Sequence, residues 1–258
     1  MDTRPIGMFD SGCGGLTVLK EYLKLMPNEN YIYYGDTAHL PYGDKSKEKI
    51  IEFSRNIVTG KVTDFLISKN VKMIVIACGT ASAQAFSTIC KEYDIPIKNI
   101  ITPPASSIKD ENVGVIATKG TIKSNAWENA IKKYNPNSNV ISLACPLLVP
   151  IVEEGFAKTQ IADLAIKEYI SKFKGTNITS LILGCTHYPI LEEKIQKEIG
   201  NGVKLINAGV MSALDSIKYL KENNMQNLNA ENGTREFFTS DDFELFKENA
   251  KQLGFEIE

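Results

Sequence analysis

Short apolar runs, punctuated by Gly, Ser and Thr, alternate with longer stretches of helical period along most of this chain. β-rich runs fall at 6–9, 31–34, 73–77, 97–102, 113–117, 140–143, 181–183 and 203–206. Between them the pattern predicts helices over 47–69, 81–93, 122–134, 161–173 and 192–199, with Ile50, Phe53 and Ile57 sampling one face of the first. Strands that alternate with helices imply βαβ units and a mainly parallel sheet, an α/β fold. The run Met73-Ile-Val-Ile-Ala77 has no polar face, which suits a strand covered on both sides.

Two stretches interrupt this order. Residues 94–104 place Pro96, Pro103 and Pro104 around a short apolar run, and residues 206–211 contain Asn207, Ala208 and Gly209. Boundaries near them give a first lobe of residues 1–97 plus 209–258 and a second of residues 98–208, the tail returning to the first. The polar patch at 222–234 reads as a surface loop.

Composition narrows the function classes. Of 258 residues, 43% are hydrophobic and 23% charged, ordinary values for a folded globule. With 29 Lys and Arg against 31 Asp and Glu, the chain has no electrostatic footprint for nucleic acid or an anionic membrane. No apolar run reaches the roughly 18 residues of a membrane span, and residues 1–5 lead into the first strand without a signal-peptide core. A cytoplasmic location is expected. Five scattered cysteines do not form a disulfide framework. With no C-x-x-C pair and only His39 and His187, no metal site is expected.

The candidate chemistry lies in a weak internal repeat. Met73-Ile-Val-Ile-Ala-Cys78-Gly79-Thr80 parallels Leu181-Ile-Leu-Gly-Cys185-Thr186-His187, each an apolar strand ending in a cysteine and a threonine. Ligands of open α/β sheets bind beyond the carboxyl ends of strands, and helix N-termini there stabilise thiolates and carboxylates. A lone strand-end cysteine is more often an inert buried thiol; a matched pair argues for chemistry. Cys90 reads as packing, and Cys13 and Cys145 have weaker claims. Asp10 ends the first strand before the glycine turn Ser11-Gly-Cys-Gly-Gly15, and serves equally as a helix cap or a proton acceptor. His187, two residues past Cys185, is placed to poise that thiol. Glu153 and Glu154 read equally as an exposed acidic pair.

Together, Phe9-Asp-Ser-Gly-Cys-Gly-Gly-Leu-Thr-Val18, Gly35-Asp-Thr-Ala38 with Pro41-Tyr-Gly43, Ile76-Ala-Cys78 with Thr80-Ala-Ser-Ala83, Val115-Ile-Ala-Thr118 with Gly120-Thr121, and Leu183-Gly-Cys-Thr-His-Tyr-Pro189 resemble the glutamate racemases of the cofactor-independent aspartate/glutamate racemase superfamily. The resemblance implies two flavodoxin-like lobes clasping the amino acid, and interconversion of L- and D-glutamate without metal or organic cofactor. D-Glutamate would serve peptidoglycan synthesis, and so cell wall biogenesis and cell shape. It implies Cys78 and Cys185 as the acid/base pair, Asp10 beside Cys78, and His187 with Glu153 beside Cys185. It places Asp10, Ser11, Tyr42, Gly43, Gly79, Thr80, Thr118, Thr121, Thr186 and His187 around the substrate. A homodimer stays open. Three positions depart from the family pattern: Gly79 stands for an asparagine, His39 for an arginine and Asn207 for an aspartate. Loss of the asparagine amide predicts weaker substrate binding that Gly79→Asn would restore. A racemase for another acidic amino acid such as aspartate, a racemase-like binding protein without turnover, and a cysteine hydrolase built on Cys185 and His187 are the rival readings.

Overall fold

The computed structural model describes residues 1–59 and 65–257. Nine strands, β1 (Ile6–Asp10), β2 (Tyr31–Gly35), β3 (Met73–Ile76), β4 (Ile97–Asn99), β5 (Asn112–Ala117), β6 (Asn139–Ala144), β7 (Ser180–Leu183), β8 (Lys204–Asn207) and β9 (Arg235–Thr239), form two sheets. The first runs β4-β3-β1-β2-β9 and the second β6-β5-β7-β8. Every pairing is parallel. All four residues of β3 are buried, as are those of β7, so each has apolar packing on both faces.

The strand order locates the site. In the first sheet the chain steps from β1 to β2 on one side, then crosses to β3 on the other; in the second, β5 is flanked by β6 and β7 in the same way. This is flavodoxin-like order, and the crevice opens where the direction reverses. The carboxyl ends of β1 and β3 carry Asp10 and Cys78, and those of β5 and β7 carry Thr118 and Cys185.

Several predicted elements are shorter or divided. The expected strand 97–102 stops at Asn99, whose Oδ1 accepts the amides of Ile101 and Thr102, both at 2.8 Å, and turns the chain into the helix Thr102–Ser107. Prolines 103 and 104 suit that helix's first turn. β4 therefore continues past residue 97, where the first boundary was expected. The helix expected over 122–134 divides into Lys119–Lys123 and Ala126–Tyr134 at Asn125, which has φ of 54°. The one expected over 81–93 becomes Gly79–Gln84 and Phe86–Ile89. The helix expected over 47–69 is observed as Lys47–Thr59; residues 60–64 lie outside the described residues, and 66–69 form a turn rather than helix. β9 and the helices Leu16–Leu25, Ala208–Glu222 and Phe243–Gln252 complete the framework.

The polar patch at 222–234 is anchored from beneath. The Lys72 ammonium, buried, donates to Glu29 Oε2 (2.6 Å), Asp2 O (2.7 Å) and Met225 O (2.7 Å), while Glu29 Oε1 accepts the Asn227 amide at 2.9 Å. A buried ion pair with its remaining hydrogen-bond capacity filled is the arrangement that offsets desolvation.

Candidate active site

β3 delivers its cysteine to a helix start. Cys78 caps the helix Gly79–Gln84, its Sγ accepting the Ala81 amide at 3.4 Å, and its thiol donates to Ser11 Oγ at 3.7 Å. Asp10, buried at the end of β1, accepts the Gly12 amide at 3.0 Å and the Thr186 hydroxyl at 3.4 Å. Burial raises the Asp10 pKa, opposed by the charge of His187 and by the Gly12 and Gly15 amides. Burial also pushes the Cys78 thiol well above its ordinary value, and the Asp10 charge adds to the shift; the Ala81 amide and Ser11 oppose it. Asp10 thus acts on Cys78 through charge, while Ser11 makes the hydrogen bond.

The second cysteine has a different neighbourhood. Cys185 Sγ lies 3.7 Å from His187 Nδ1, and the other ring nitrogen, Nε2, is hydrogen-bonded to Glu153 Oε1. Burial alone would lower the His187 pKa; hydrogen bonds to Cys185 and Glu153, and their charges, outweigh it and hold the imidazole well above its usual value. Glu154, whose claim could not be separated from that of Glu153 in sequence, faces the same cavity without bonding to the histidine. Thr186 bridges the two sides: its hydroxyl reaches Asp10, and its carbonyl accepts the Thr17 hydroxyl at 2.7 Å.

Between the sheets lies a cavity of about 240 Å³. Ser11, Tyr42, Gly43, Gly79, Thr80, Thr118, Glu153, Cys185, Thr186 and His187 line it. Cys78, Asp10 and Thr121 do not: all three are buried just behind that wall. Thr80, Thr118 and Thr121 hydrogen-bond one another at 2.9–3.3 Å, a triangle that joins the turn after β3 to the turn after β5. Tyr42 turns its hydroxyl away onto Asp36 Oδ2 at 2.5 Å, so its ring and the Gly43 backbone are what the segment offers the cavity. His39 pairs with the same carboxylate at 2.9 Å and stacks on Phe53, away from the cavity wall. That departure therefore bears on loop anchoring. Asn207 caps the helix Ala208–Glu222 through its Oδ1.

Gly79 has a steric role that the sequence pattern did not disclose. A Cβ there would stand 2.5 Å from the carbonyl oxygen of Gly184, the residue preceding Cys185. The two cysteine-bearing turns touch backbone to backbone, and the expectation that asparagine would simply restore a lost amide meets a steric conflict in this arrangement. On its other side Gly184 is backed by the Trp127 indole, which is buried and whose Nε1 has no protein partner.

Sequence reasoning passed over part of the wall: Leu40, Pro41, Asp44, Lys119, Pro146, Val149 and Pro150. Pro146 and Pro150, bracketing an apolar run just before Glu153, were the available signal. The remaining cysteines lie elsewhere. Cys13 donates to Phe246 O, and Cys145, its thiol pushed up to about 12 by burial and then by Cys185, donates to Leu143 O. Cys90 is half-buried at the end of the helix Phe86–Ile89.

The model of the Asp/Glu/Hydantoin racemase family matches residues 12–213 of this chain. The chain belongs to that family. Among relatives of this Asp/Glu racemase-family protein, glutamate racemase 2 of Caldanaerobacter subterraneus is 44% identical over 264 residues, covering 100% of this chain and 96% of the relative. A glutamate racemase from Francisella tularensis, solved in complex with D-glutamate, is 42% identical with a TM-score of 0.91, over 100% of this chain and 96% of that one. The glutamate racemase isoform RacE1 of Bacillus anthracis superposes with a TM-score of 0.93 at 34% identity, over the same shares.

Proposed function

We propose that this protein racemises glutamate, with Cys78 and Cys185 as the two acid/base residues. The observation that carries the reading is the pair of thiols on turns that meet at Gly79 and Gly184, one from each sheet. Inversion at Cα is served most directly by a base on one face and an acid on the other, since a single fixed side chain does not easily reach both. One cysteine, as thiolate, takes the α-proton. The C–H electron pair stays on carbon and delocalises into the α-carboxylate. The second cysteine's thiol then protonates the opposite face. Each turnover interchanges thiol and thiolate, leaving the enzyme set for the reverse direction.

His187, held by Glu153, supplies or receives the proton that sets the Cys185 charge state, and Asp10 serves Cys78. Hydroxyls of Ser11, Thr80, Thr118 and Thr186, with the Tyr42–Gly43 segment and the Gly79 amide, receive the carboxylates, whose charge grows in the transition state. Thr121 fixes the orientation of Thr80 and Thr118. The relatives named glutamate racemase, and the Francisella tularensis enzyme holding D-glutamate, support glutamate as the substrate. We assign the first lobe to residues 1–99 plus 209–258 and the second to residues 100–208, the crossing expected at residue 97 lying just past the end of β4. The reaction needs no metal or organic cofactor, and its product supplies cytoplasmic peptidoglycan synthesis. No helix among the described residues is long and apolar enough to cross a membrane.

The test is incubation with L-glutamate in deuterium oxide. Loss of optical rotation accompanied by deuterium at Cα is expected. Exchange and racemisation of aspartate but not glutamate would move the assignment to that substrate. Neither reaction with any acidic amino acid would leave a binding protein.

A further inference from the structure

Beside the reaction cavity lies a second, larger cavity of about 580 Å³ that the chemistry above does not use. It shares Gly43, Asp44 and Lys119 with the first. Its rims come from opposite sides of the cleft. Lys45 and Lys47 follow the Tyr42–Gly43 turn on one side, and Lys119 and Lys123 project from the helix Lys119–Lys123 on the other. The rims touch where the Gly43 carbonyl oxygen lies 2.7 Å from the place a Cβ on Gly120 would occupy.

Three observations make this a site for an anion. None of the four lysines belongs to an ion pair among the described residues, and Asp44 is the one carboxylate on the wall, with Glu48 next in sequence to Lys47. This local positive excess stands out on a chain whose formal charge is −2. Like charges brought together across two touching rims repel, a cost that a bound anion removes. The cavity also has a polar wall: Gln84 is only 8% exposed, its amide nitrogen lies against Gly120, and its side chain makes no hydrogen bond among the described residues. An amide that opens only onto a cavity, with no protein partner, is free to bond a ligand there.

We propose that this groove is a second ligand site, taking a small multivalent oxyanion that bridges the lysines of the two rims and hydrogen-bonds to Gln84. Phosphate-bearing and carboxylate-bearing ligands share that chemistry. Because the occupant would tie together the two rims that also enclose the substrate, both ligands favour the closed cleft, and their binding strengthens each other by the same factor in both directions.

Calorimetric titration of the full chain with inorganic pyrophosphate, and separately with citrate, tests this without reference to turnover. One-to-one binding that weakens with added salt is expected. It should fall about tenfold in the double variant Lys45→Gln/Lys123→Gln. Gln84→Leu, which leaves every charge in place, should weaken it as well. Pyrophosphate bound more tightly than citrate assigns a phosphate ligand, and the reverse order a polycarboxylate. Saturating glutamate should tighten pyrophosphate binding. No binding of either probe overturns the proposal. So does equal binding by wild type and a double variant whose melting curve is native, or displacement of the probe by glutamate, which would place it in the reaction cavity. Pyrophosphate binding in the absence of glutamate stands or falls independently of the racemase assignment.

Discussion

The turns carrying Cys78 and Cys185 start from nearly the same sequence and end in different surroundings. Cys185 is on the wall of the cavity beside an imidazole whose pKa is held above its usual value, with a carboxylate behind it. Cys78 is behind the wall, its thiol raised by burial and by Asp10, with a serine hydroxyl as its hydrogen-bond partner. A symmetric reaction does not require symmetric apparatus. The enantiomers have equal free energy, so kcat/KM must be the same in both directions whatever each cysteine's neighbours are. Asymmetry of the site is confined to how kcat and KM divide within each direction.

Removing either thiol should break the comparison most severely. Cys78→Ala and Cys185→Ala should each lower racemisation by at least ~10³-fold, in keeping with loss of a proton-transfer residue. On a substrate analogue that eliminates a β-leaving group, each variant should retain one enantiomer only, and the two variants opposite ones, as read by keto-acid release. A variant that racemises at the wild-type rate would remove its cysteine from the mechanism.

The next effect separates the auxiliary groups. His187→Gln should cost about 10²-fold in kcat/KM, at the low end for a proton-handling group. Ser11→Ala, which removes one hydrogen bond to a thiol and one hydroxyl offered to the substrate, should cost about tenfold or less. Equal losses in steady-state assays of both variants would mean that the Cys78 side is as dependent on its neighbours as the Cys185 side.

Gly79 tests the contact between the two turns. Relieving a Cβ forced against the Gly184 carbonyl costs about 1–3 kcal/mol, roughly a five- to hundredfold fall in kcat/KM. Gly79→Ala should show this fall. Gly79→Asn should show it too, unless its amide binds substrate well enough to compensate. Full activity in Gly79→Ala would mean that the turns stand apart during turnover.

The smallest effect is on stability. The folded-state pKa of His187 is raised, so the protonated histidine contributes stability that is fully present below its unfolded value near 6.5 and is lost as pH rises through the higher folded value. Glu153→Gln should therefore lower Tm most below about pH 6.5, and the difference from wild type should shrink at higher pH. A difference independent of pH would exclude the imidazolium as its cause.

What was legible in the sequence was whatever repeats locally. The apolar runs of β1, β3, β5 and β7 and the cysteines after two of them gave sheet type and site position, because strand period and strand-end chemistry are properties of a few adjacent residues. β9 was missed: Arg235-Glu-Phe-Phe-Thr239 is charged at one end, as an edge strand permits, and it pairs with β2 only through a long-range return of the chain. The end of β4 was misplaced because Asn99 turns the backbone by a side-chain bond that no hydropathy pattern records. Asp36 escaped notice for a related reason. Its role is to hold Tyr42 and His39, and such a role appears only once the loop has closed on itself.

Trp127 has an optical consequence. It is the only tryptophan in the chain, it is buried, and it lies against Gly184 at the root of the Cys185 turn. Under selective excitation all of the indole emission therefore originates at one wall of the cleft. Its wavelength and quenching are an intrinsic gauge of how that turn sits, readable in unlabelled protein while substrate is being consumed.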